Sequence, residues 1–153
     1  MADKLTATIE ITIMQIQPYL FFSGNCEQAI NFYAETLGAE IVMVMRYKDM
    51  PEEAKQGNAP QDVDPDAIMH AHLKIGGSAF MASDGCSPDD DTKVSHKGFS
   101  LSLNPHSAEE GQRLFDKLAA GGVITMPYSP TFWAKGFGML TDKFGVNWMI
   151  NVE

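Results

Sequence analysis

The sequence predicts an α+β fold in which a βαβββ module occurs twice within one globular domain. Three observations predict it: two amphipathic helical stretches have matching start signals, an apolar strand precedes each of them, and the closing strands of the two copies resemble each other. The chain of 153 residues has the size of a single domain. Because two copies of one module make two half-sites, we expect the function to reside in a pocket between them.

Both predicted helices have start and stop signals. The first is predicted to begin after Asn25 and to end at Gly38, and the second to begin after Ser107 and to end at Gly121. In each helix a Gln or Glu follows three residues after the capping residue, which is the spacing of a capping box. Apolar residues recur at helical spacing along one side of each helix, which predicts packing against a sheet: Ile30, Tyr33 and Leu37 in the first, and Leu114, Phe115 and Leu118 in the second.

Strands are predicted in the same order around each helix. One apolar strand precedes the helix and three follow it, and the last strand of the first copy resembles that of the second. The predicted strands are 17–22, 40–47, 68–75 and 77–81 in the first copy, and 99–104, 123–129, 137–141 and 145–149 in the second.

Segments without a strand or helix pattern set the boundaries of the modules. Residues 1–13 are interpreted as an N-terminal extension, and the first module spans 14–85. Residues 50–66 contain three prolines and a glycine and predict a long loop. The polar residues 86–97 are predicted to link the first module to the second, which spans 98–153.

Several short motifs run through both modules: Pro18-Tyr19-Leu20, Gly24-Asn25-Cys26, Phe32-Tyr33, Leu37-Gly38, His70-Ala71-His72-Leu73, Ser83-Asp84, Phe132 to Gly138 and Asp142 to Asn151. Together they closely resemble the PhnB-like branch of the glyoxalase, bleomycin-resistance and extradiol-dioxygenase superfamily, also called vicinal oxygen chelate proteins. The resemblance implies that the two modules form a cupped, mixed eight-stranded sheet. It also implies a homodimer that binds a small molecule in a cleft.

The same resemblance implies where a metal site could be. In metal-using members of the superfamily the ligands, typically His and Glu, come from the first and last strands of each module, because a divalent ion needs several N or O donors. The internal alignment places those positions near Pro18, Met81, Ser100 and Met149. None is a usual metal ligand, and a shift by one residue to Gln17 supplies no carboxylate in either closing strand. The standard metal site is therefore predicted to be missing, and no cofactor is predicted.

A displaced metal site is the alternative. His70 and His72 alternate with apolar residues and are predicted to project from one face of a strand. A divalent metal could bind them if Asp84 approached from the next strand. Otherwise the two histidines cover the polar face of a half-buried strand.

Aromatic and sulfur-containing residues are the candidates for the wall of the cleft. Trp133 lies in a predicted bend, where its ring can stand over a cavity. Gly136 and Gly138, which follow it, would let the backbone approach a ligand or a second subunit. The ligand-binding candidates are Trp133, Phe22, Met81, Trp148 and Met149.

Composition excludes several classes of partner. The net charge of −9 argues against nucleic acids and anionic membranes, because phosphate contacts need clustered Lys or Arg. No apolar run approaches the roughly 20 residues that span a membrane, and no basic segment with a long apolar core follows the first residue. Cys26 and Cys86 have no metal-type spacing and are expected to be reduced thiols. A cytoplasmic protein is therefore expected.

Two classes of function compete, and a structural role, in which the repeats swap between chains to build a stable dimer without a ligand, is a third possibility. The first is a metal-independent protein that binds a small molecule in an apolar cleft. The second is an enzyme of the isomerase, lyase or dioxygenase type, in which a metal at His70 and His72 stabilises negative charge on a substrate. Some relatives carry a methyltransferase label, but an adenosyl donor normally needs a Gly-rich turn between strand and helix, and the turn at Gly24 has one glycine. The substrate cannot be named from the sequence.

Overall fold

The predicted α+β class and the repeated βαβββ module are confirmed by a computed structural model, which describes residues 14–55, 63–85 and 94–153. The N-terminal extension 1–13 and most of the predicted linker lie outside these residues. The first module consists of β1 (Tyr19–Phe21), α1 (Cys26–Leu37), β2 (Glu40–Arg46), α2 (Glu52–Lys55), β3 (Ile68–Ile75) and β4 (Ser78–Ser83). The second consists of β5 (Leu101–Leu103), α3 (Ala108–Ala119), β6 (Val123–Ser129), β7 (Gly136–Thr141) and β8 (Asn147–Val152).

The eight predicted strands form two mixed sheets of four strands each. Their order is β1-β4-β3-β2 in the first module and β5-β8-β7-β6 in the second. The pairs β1–β4 and β5–β8 are parallel, and all the others are antiparallel. The expected eight-stranded arrangement is thus divided, within the described residues, into two halves whose edge strands β1 and β5 share no hydrogen-bonded pairing.

The core lies between the helices and one face of each sheet. In the inner strands β3, β4, β7 and β8 the residues that face the helices are buried, and a buried Leu, Ile or Phe contributes about 1.5–3 kcal/mol. The remaining residues of the same strands point to the opposite face, which we call the open face. The core-facing residues include Leu20, Leu73 and Phe80 against Ile30 and Tyr33 of α1, and Leu140, Trp148 and Ile150 against Phe115 and Leu118 of α3.

Helix α1 begins after Asn25 as predicted, but its capping contact differs from the prediction. Asn25 makes no side-chain capping bond, since its backbone (φ −118°, ψ 18°) is not in the extended conformation that directs a capping side chain to the helix. Asp84, which follows β4, takes its place. Its Oδ1 accepts hydrogen bonds from the backbone N–H groups of Gly24 (2.9 Å) and Cys26 (3.0 Å). The predicted capping role of Asn25 is therefore wrong, and the cap comes from the far end of the module.

The predicted cap of α3 and the predicted end of α1 are confirmed. Ser107 Oγ accepts a hydrogen bond from the N–H of Glu110 at 3.1 Å, so it caps α3. Gly38 ends α1 in the left-handed conformation that glycine adopts without strain (φ 68°). The loop predicted at 50–66 contains the short helix α2, which begins after Pro51, and its residues 56–62 lie outside the described structure.

A buried carboxylate joins the two modules. Asp142, in the turn between β7 and β8, is 3% exposed, and its Oδ2 accepts hydrogen bonds from Tyr33 Oη of α1 (2.6 Å) and Trp148 Nε1 (2.9 Å). Its Oδ1 accepts the N–H groups of Phe144 (2.8 Å) and Val146 (3.1 Å). A single side chain thus shapes the turn and fixes the first helix to the second sheet.

Candidate functional site

Strand register aligns residues from all four strands on the open face of the first sheet. Tyr19 of β1 lies opposite Met81 of β4, which lies opposite His72 of β3. His72 in turn lies opposite Met43 of β2. This row therefore crosses the whole sheet with one aromatic ring, two thioethers and one imidazole.

The second sheet carries a corresponding row. Ser102 of β5 lies opposite Met149 of β8, which lies opposite Met139 of β7, and Met139 pairs with Met126 of β6. Three thioethers and a hydroxyl occupy the positions that Met81, His72, Met43 and Tyr19 occupy in the first sheet.

These rows refine the positions inherited from metal-using relatives. Met81 and Met149 lie on the open faces, as the alignment of the repeat implied. The first-strand residues beside them are Tyr19 and Ser102 rather than Pro18 and Ser100, because β5 is offset by one residue relative to the spacing of the helices. Neither replacement supplies an imidazole or a carboxylate, so these four positions do not fit a hard divalent ion.

A cavity of about 540 Å³ opens on this face of the second sheet. Met139 and Met149 line it, and none of its described lining residues is charged. Asn147 at its edge is held in place, because its Nδ2 donates to the carbonyl oxygens of His96 (2.8 Å) and Phe99 (3.2 Å) and its Oδ1 accepts from Thr141 Oγ1 (2.7 Å). The remaining lining residues are Gly98, Phe99, Ser100, Thr125 and Leu140.

A larger groove of about 1190 Å³ lies between the modules. It is bounded by the end of α1, the turn between β3 and β4, strand β5 and one side of α3. Glu35, Glu110, Arg113 and Lys117 contribute charged side chains to it, and Trp148 is the predicted ligand-binding residue that reaches it. The groove is therefore more polar at its rim than the cavity on the second sheet.

The five predicted ligand-binding residues lie in different surroundings. Met81 and Met149 are partly exposed on the open faces, and Trp133 is 52% exposed before β7 with its ring 5.4 Å from that of Phe137. Phe22 and Trp148 are only 2% and 1% exposed and pack in the core. The structure thus brings only part of the set to an accessible surface, and the assignment of these residues to a ligand stays a prediction.

The two glycines after Trp133 serve packing inside the chain. A Cβ on Gly136 would collide with the ring of Tyr128, and one on Gly138 would collide with Phe115 and the Tyr128 backbone. The chain's own aromatic side chains account for glycine at both positions, and the expected approach of a ligand or second subunit there stays a prediction.

The three predicted metal ligands also make different contacts in the structure. Asp84 is 6% exposed, and its Oδ2 accepts the N–H of Ile68 (3.0 Å) while its Oδ1 caps α1. His70 Nδ1 is 3.0 Å from Tyr19 Oη, and His72 Nε2 is buried with no hydrogen-bond partner among the described residues. Within those residues, no group of three or more His, Cys, Asp or Glu is arranged to hold a metal. The geometry of Asp84 gives its proposed role as ligand no support.

Burial disfavours the ionised forms of two side chains in the core. Burial raises the pKa of the Cys26 thiol above its usual range, and the carboxylates of Asp84 and Glu27 raise it further. Burial likewise raises the pKa of Tyr33, and the charge of Asp142 and its hydrogen bond to Tyr33 add to the effect. Both groups remain protonated at neutral pH, so Cys26 has none of the thiolate character of a nucleophile.

These two groups predict a loss of stability in alkali. In the unfolded chain Cys and Tyr ionise near pH 8.5 and 10, whereas in the fold they stay protonated, so their stabilising contribution is full below those values and is lost as pH rises. We expect the free energy of unfolding, measured by urea denaturation, to fall by up to about 1.4 kcal/mol per pH unit for each group. Cys26→Ala should remove the part that begins near pH 8.5, and Tyr33→Phe the part that begins near pH 10. Identical pH profiles for both variants and the parent would contradict these assignments.

Several residues of the site escaped sequence reasoning. Tyr19 and Ser102 were missed because the register of a parallel pair cannot be read from either strand alone. Asn147 could have been found from the alternation along β8, which places it on the same face as Met149. Met139 of β7 lies opposite Met149 and so shares that face. The buried Nε2 atom of His72, which is unpaired among the described residues, has no sequence signal at all.

The two-module fold with paired open faces is the fold of solved glyoxalase- and bleomycin-resistance-type structures. A glyoxylase/bleomycin resistance protein/dioxygenase domain from Frankia sp. EAN1pec shares the fold, with a TM-score of 0.60 over 92% of this chain and 98% of that one, at 18% identity. The chain belongs to the PhnB-like family described as 3-demethylubiquinone-9 3-methyltransferase, whose profile matches residues 14–151. The resemblance seen in the sequence is thereby confirmed.

Relatives within the family are close over nearly their whole length. The chain is 48% identical over 143 residues to protein YjdN of Escherichia coli strain K12, covering 91% of this chain and 95% of that protein. It is 46% identical to protein PA1353 from Pseudomonas aeruginosa, with a TM-score of 0.80 and coverage of 92% and 98%. It is 30% identical to a putative 3-demethylubiquinone-9 3-methyltransferase, PhnB protein, from Bacillus cereus, with a TM-score of 0.73 and coverage of 92% and 100%.

Proposed function

We propose that the protein binds a neutral, largely apolar small molecule on the open faces of its sheets without the standard metal site of its superfamily. The observation that carries this proposal is the pair of rows in which Tyr19 stands beside Met81 and Ser102 beside Met149. Thioethers adapt their shape and make favourable contacts with aromatic rings, so they suit an apolar ligand better than a hard ion. Ser100, Thr125 and Asn147, which line the cavity of the second sheet, provide the few polar groups that orient a ligand.

The methyltransferase named in the family's description receives no support from the turn before α1. An adenosyl donor would be expected to use backbone N–H groups at such a turn. Here the N–H groups of Gly24 and Cys26 already donate to Asp84. The second candidate, a metal-dependent enzyme at His70 and His72, lacks its third donor for the same reason, because Asp84 is held by the backbone.

We propose further that a second copy of the chain completes the cleft. Phe132 is 97% exposed, and its ring, that of Trp133 and that of Phe137 form a cluster with centroid distances of 4.7 and 5.4 Å. Phe21 and Phe99 are also about half exposed beside the open faces. A contiguous apolar cluster of this kind is typical of an interaction surface. A homodimer is the commonest assembly that would cover it.

The binding proposal is tested by thermal denaturation of the protein with neutral bicyclic aromatic compounds, such as indoles and naphthols, and with anionic phosphonates. At a concentration 100 times the dissociation constant, a ligand should stabilise the fold by about 2.7 kcal/mol, which raises Tm by roughly 5–10 °C. We expect stabilisation by neutral compounds only. Met149→Glu should abolish it, because the charge would enter the uncharged cavity. Met14→Glu places the same charge at a residue 95% exposed and should leave it unchanged. The proposal fails if no neutral compound stabilises the protein, or if Met149→Glu responds like the parent.

The dimer proposal is tested by sedimentation equilibrium of the parent and the Phe132→Ser, Trp133→Ser variant. We expect the parent to sediment as a dimer and the variant to dissociate at micromolar concentration, because it loses the aromatic cluster. Asp116→Ser, on the exposed side of α3, serves as the control and should sediment like the parent. A parent that is monomeric at all concentrations contradicts the proposal, as does a double variant that remains fully dimeric.

A further inference from the structure

We propose that the open face of the first sheet holds a site for a soft monovalent cation, Cu(I) or Ag(I), formed by His72 together with Met43 and Met81. The proposal does not rest on the small-molecule ligand proposed above, although Met81 belongs to both sites. It uses donors from β2, β3 and β4, of which only Met81 stands at an inherited last-strand position; Met43 and His72 lie on the two middle strands of the module.

Register brings the three donors together. Met43 and Met81 lie directly opposite His72 on its two sides, in antiparallel pairs. The Cβ atoms of such partners are about 4.5–5.5 Å apart and their side chains share a face. A methionine side chain has three rotatable bonds, so its sulfur can move over the neighbouring ring. Both thioethers can therefore approach one ion bound to Nε2 of the imidazole.

The imidazole itself provides a second observation. His72 Nε2 is buried without a hydrogen-bond partner among the described residues, whereas His70 Nδ1 is paired with Tyr19 Oη. A buried polar atom left unpaired costs about 1–3 kcal/mol, so such atoms normally have a partner. A metal ion bound to Nε2 would supply it, provided that the ring is neutral with its proton on Nδ1.

The donor types select the cation. Thioethers are soft ligands that favour Cu(I), and imidazole also binds copper. Hard ions such as Mg²⁺ and Ca²⁺ need carboxylate or carbonyl oxygens. The nearest buried carboxylate of this module, Asp84, has both oxygens engaged by backbone N–H groups. Two sulfurs and one nitrogen therefore form a three-coordinate set suited to Cu(I) or Ag(I) and poorly suited to hard cations.

The test is anaerobic Cu(I) competition against bicinchoninate, in a Cys26→Ala, Cys86→Ala background so that thiolates do not take up the metal. We expect the background protein to withdraw Cu(I) from the chelator. Met43→Leu with Met81→Leu should weaken binding at least about tenfold, as should His72→Gln. Leucine conserves volume, so the fold should survive, which thermal denaturation checks. The matched control, Met14→Leu with Met50→Leu, removes two sulfurs elsewhere and should bind like the background.

Each other outcome overturns the proposal. If the background protein takes no Cu(I) from the chelator, there is no soft-cation site of this kind. If the Met43→Leu, Met81→Leu variant and the control variant lose the same affinity for Cu(I), methionine sulfurs bind Cu(I) wherever they lie, and Met43 and Met81 form no specific site. If His72→Gln binds like the background, the imidazole is not a donor. If Zn²⁺ added in the same assay displaces Cu(I) at equal concentration, the site is not soft.

Discussion

Replacing Asp142 with alanine is expected to lower the free energy of unfolding by about 3–5 kcal/mol, a large fraction of the stability of an ordinary domain. The reason is that four donors lose their acceptor at once: Tyr33 Oη, Trp148 Nε1 and the N–H groups of Phe144 and Val146. Because Asp142 is 3% exposed, water cannot replace it without opening the core. Guanidinium denaturation monitored by Trp fluorescence measures the effect.

Two further variants keep this prediction open to test even if Asp142→Ala does not fold. Tyr33→Phe removes one of the four hydrogen bonds and should cost about 1–2 kcal/mol. Asp116→Ala, at an exposed position of α3, should change stability by less than about 0.5 kcal/mol. If Tyr33→Phe is as stable as the parent, the contact between the modules through Asp142 contributes little and the account of the core is wrong.

The second large effect is expected for Asp84→Ala, which should lower the free energy of unfolding by about 3–4 kcal/mol. Three buried or partly buried N–H groups, those of Gly24, Cys26 and Ile68, lose the carboxylate that accepts them. The start of α1 also loses the negative charge that stabilises a helix N-terminus. In the variant, amide hydrogen exchange at Gly24, Cys26 and Ile68 should be faster than in the parent. Exchange at Glu110 should stay the same, because its N–H still donates to Ser107.

The same variant separates a structural role from a metal-binding role. We expect the loss of stability to be equal in chelator-treated protein and in protein supplied with Mn²⁺, Ni²⁺ or Zn²⁺, because the partners of Asp84 are backbone groups. If the loss appears only when a divalent metal is present, Asp84 acts as a ligand and the displaced metal site at His70 and His72 regains support.

Much of the fold could be predicted from local sequence patterns. The bounds of β3 and β6 follow directly from apolar and β-branched runs, and the cap of α3 from Ser107. The capping side chain of α1 was misassigned because the acceptor, Asp84, lies 58–60 residues away, beyond the reach of any local pattern. The closing strand β8 begins at Asn147 rather than at Gly145, since residues up to Val146 complete the turn around Asp142.

The candidate site was less accessible to sequence reasoning than the fold. The sequence showed that Met81 and Met149 stand where relatives hold metal ligands, and the structure places both on open faces. Their neighbours Tyr19 and Ser102 depend on the register of parallel pairs, in which one residue of shift changes the face. Phe22 and Trp148 were grouped with the site on residue type alone, although burial against the helices is the commoner place for large apolar side chains.

The most direct test of the central claim is a titration calorimetry measurement of a neutral aromatic ligand, selected by thermal denaturation, on protein treated with a divalent-metal chelator. The account predicts a dissociation constant that is the same with and without chelator, and that is at least about tenfold weaker in the Met149→Glu variant. Binding that disappears in the chelator and returns with Mn²⁺, Ni²⁺ or Zn²⁺ would contradict the claim that the ligand is held by the open faces without the standard metal site.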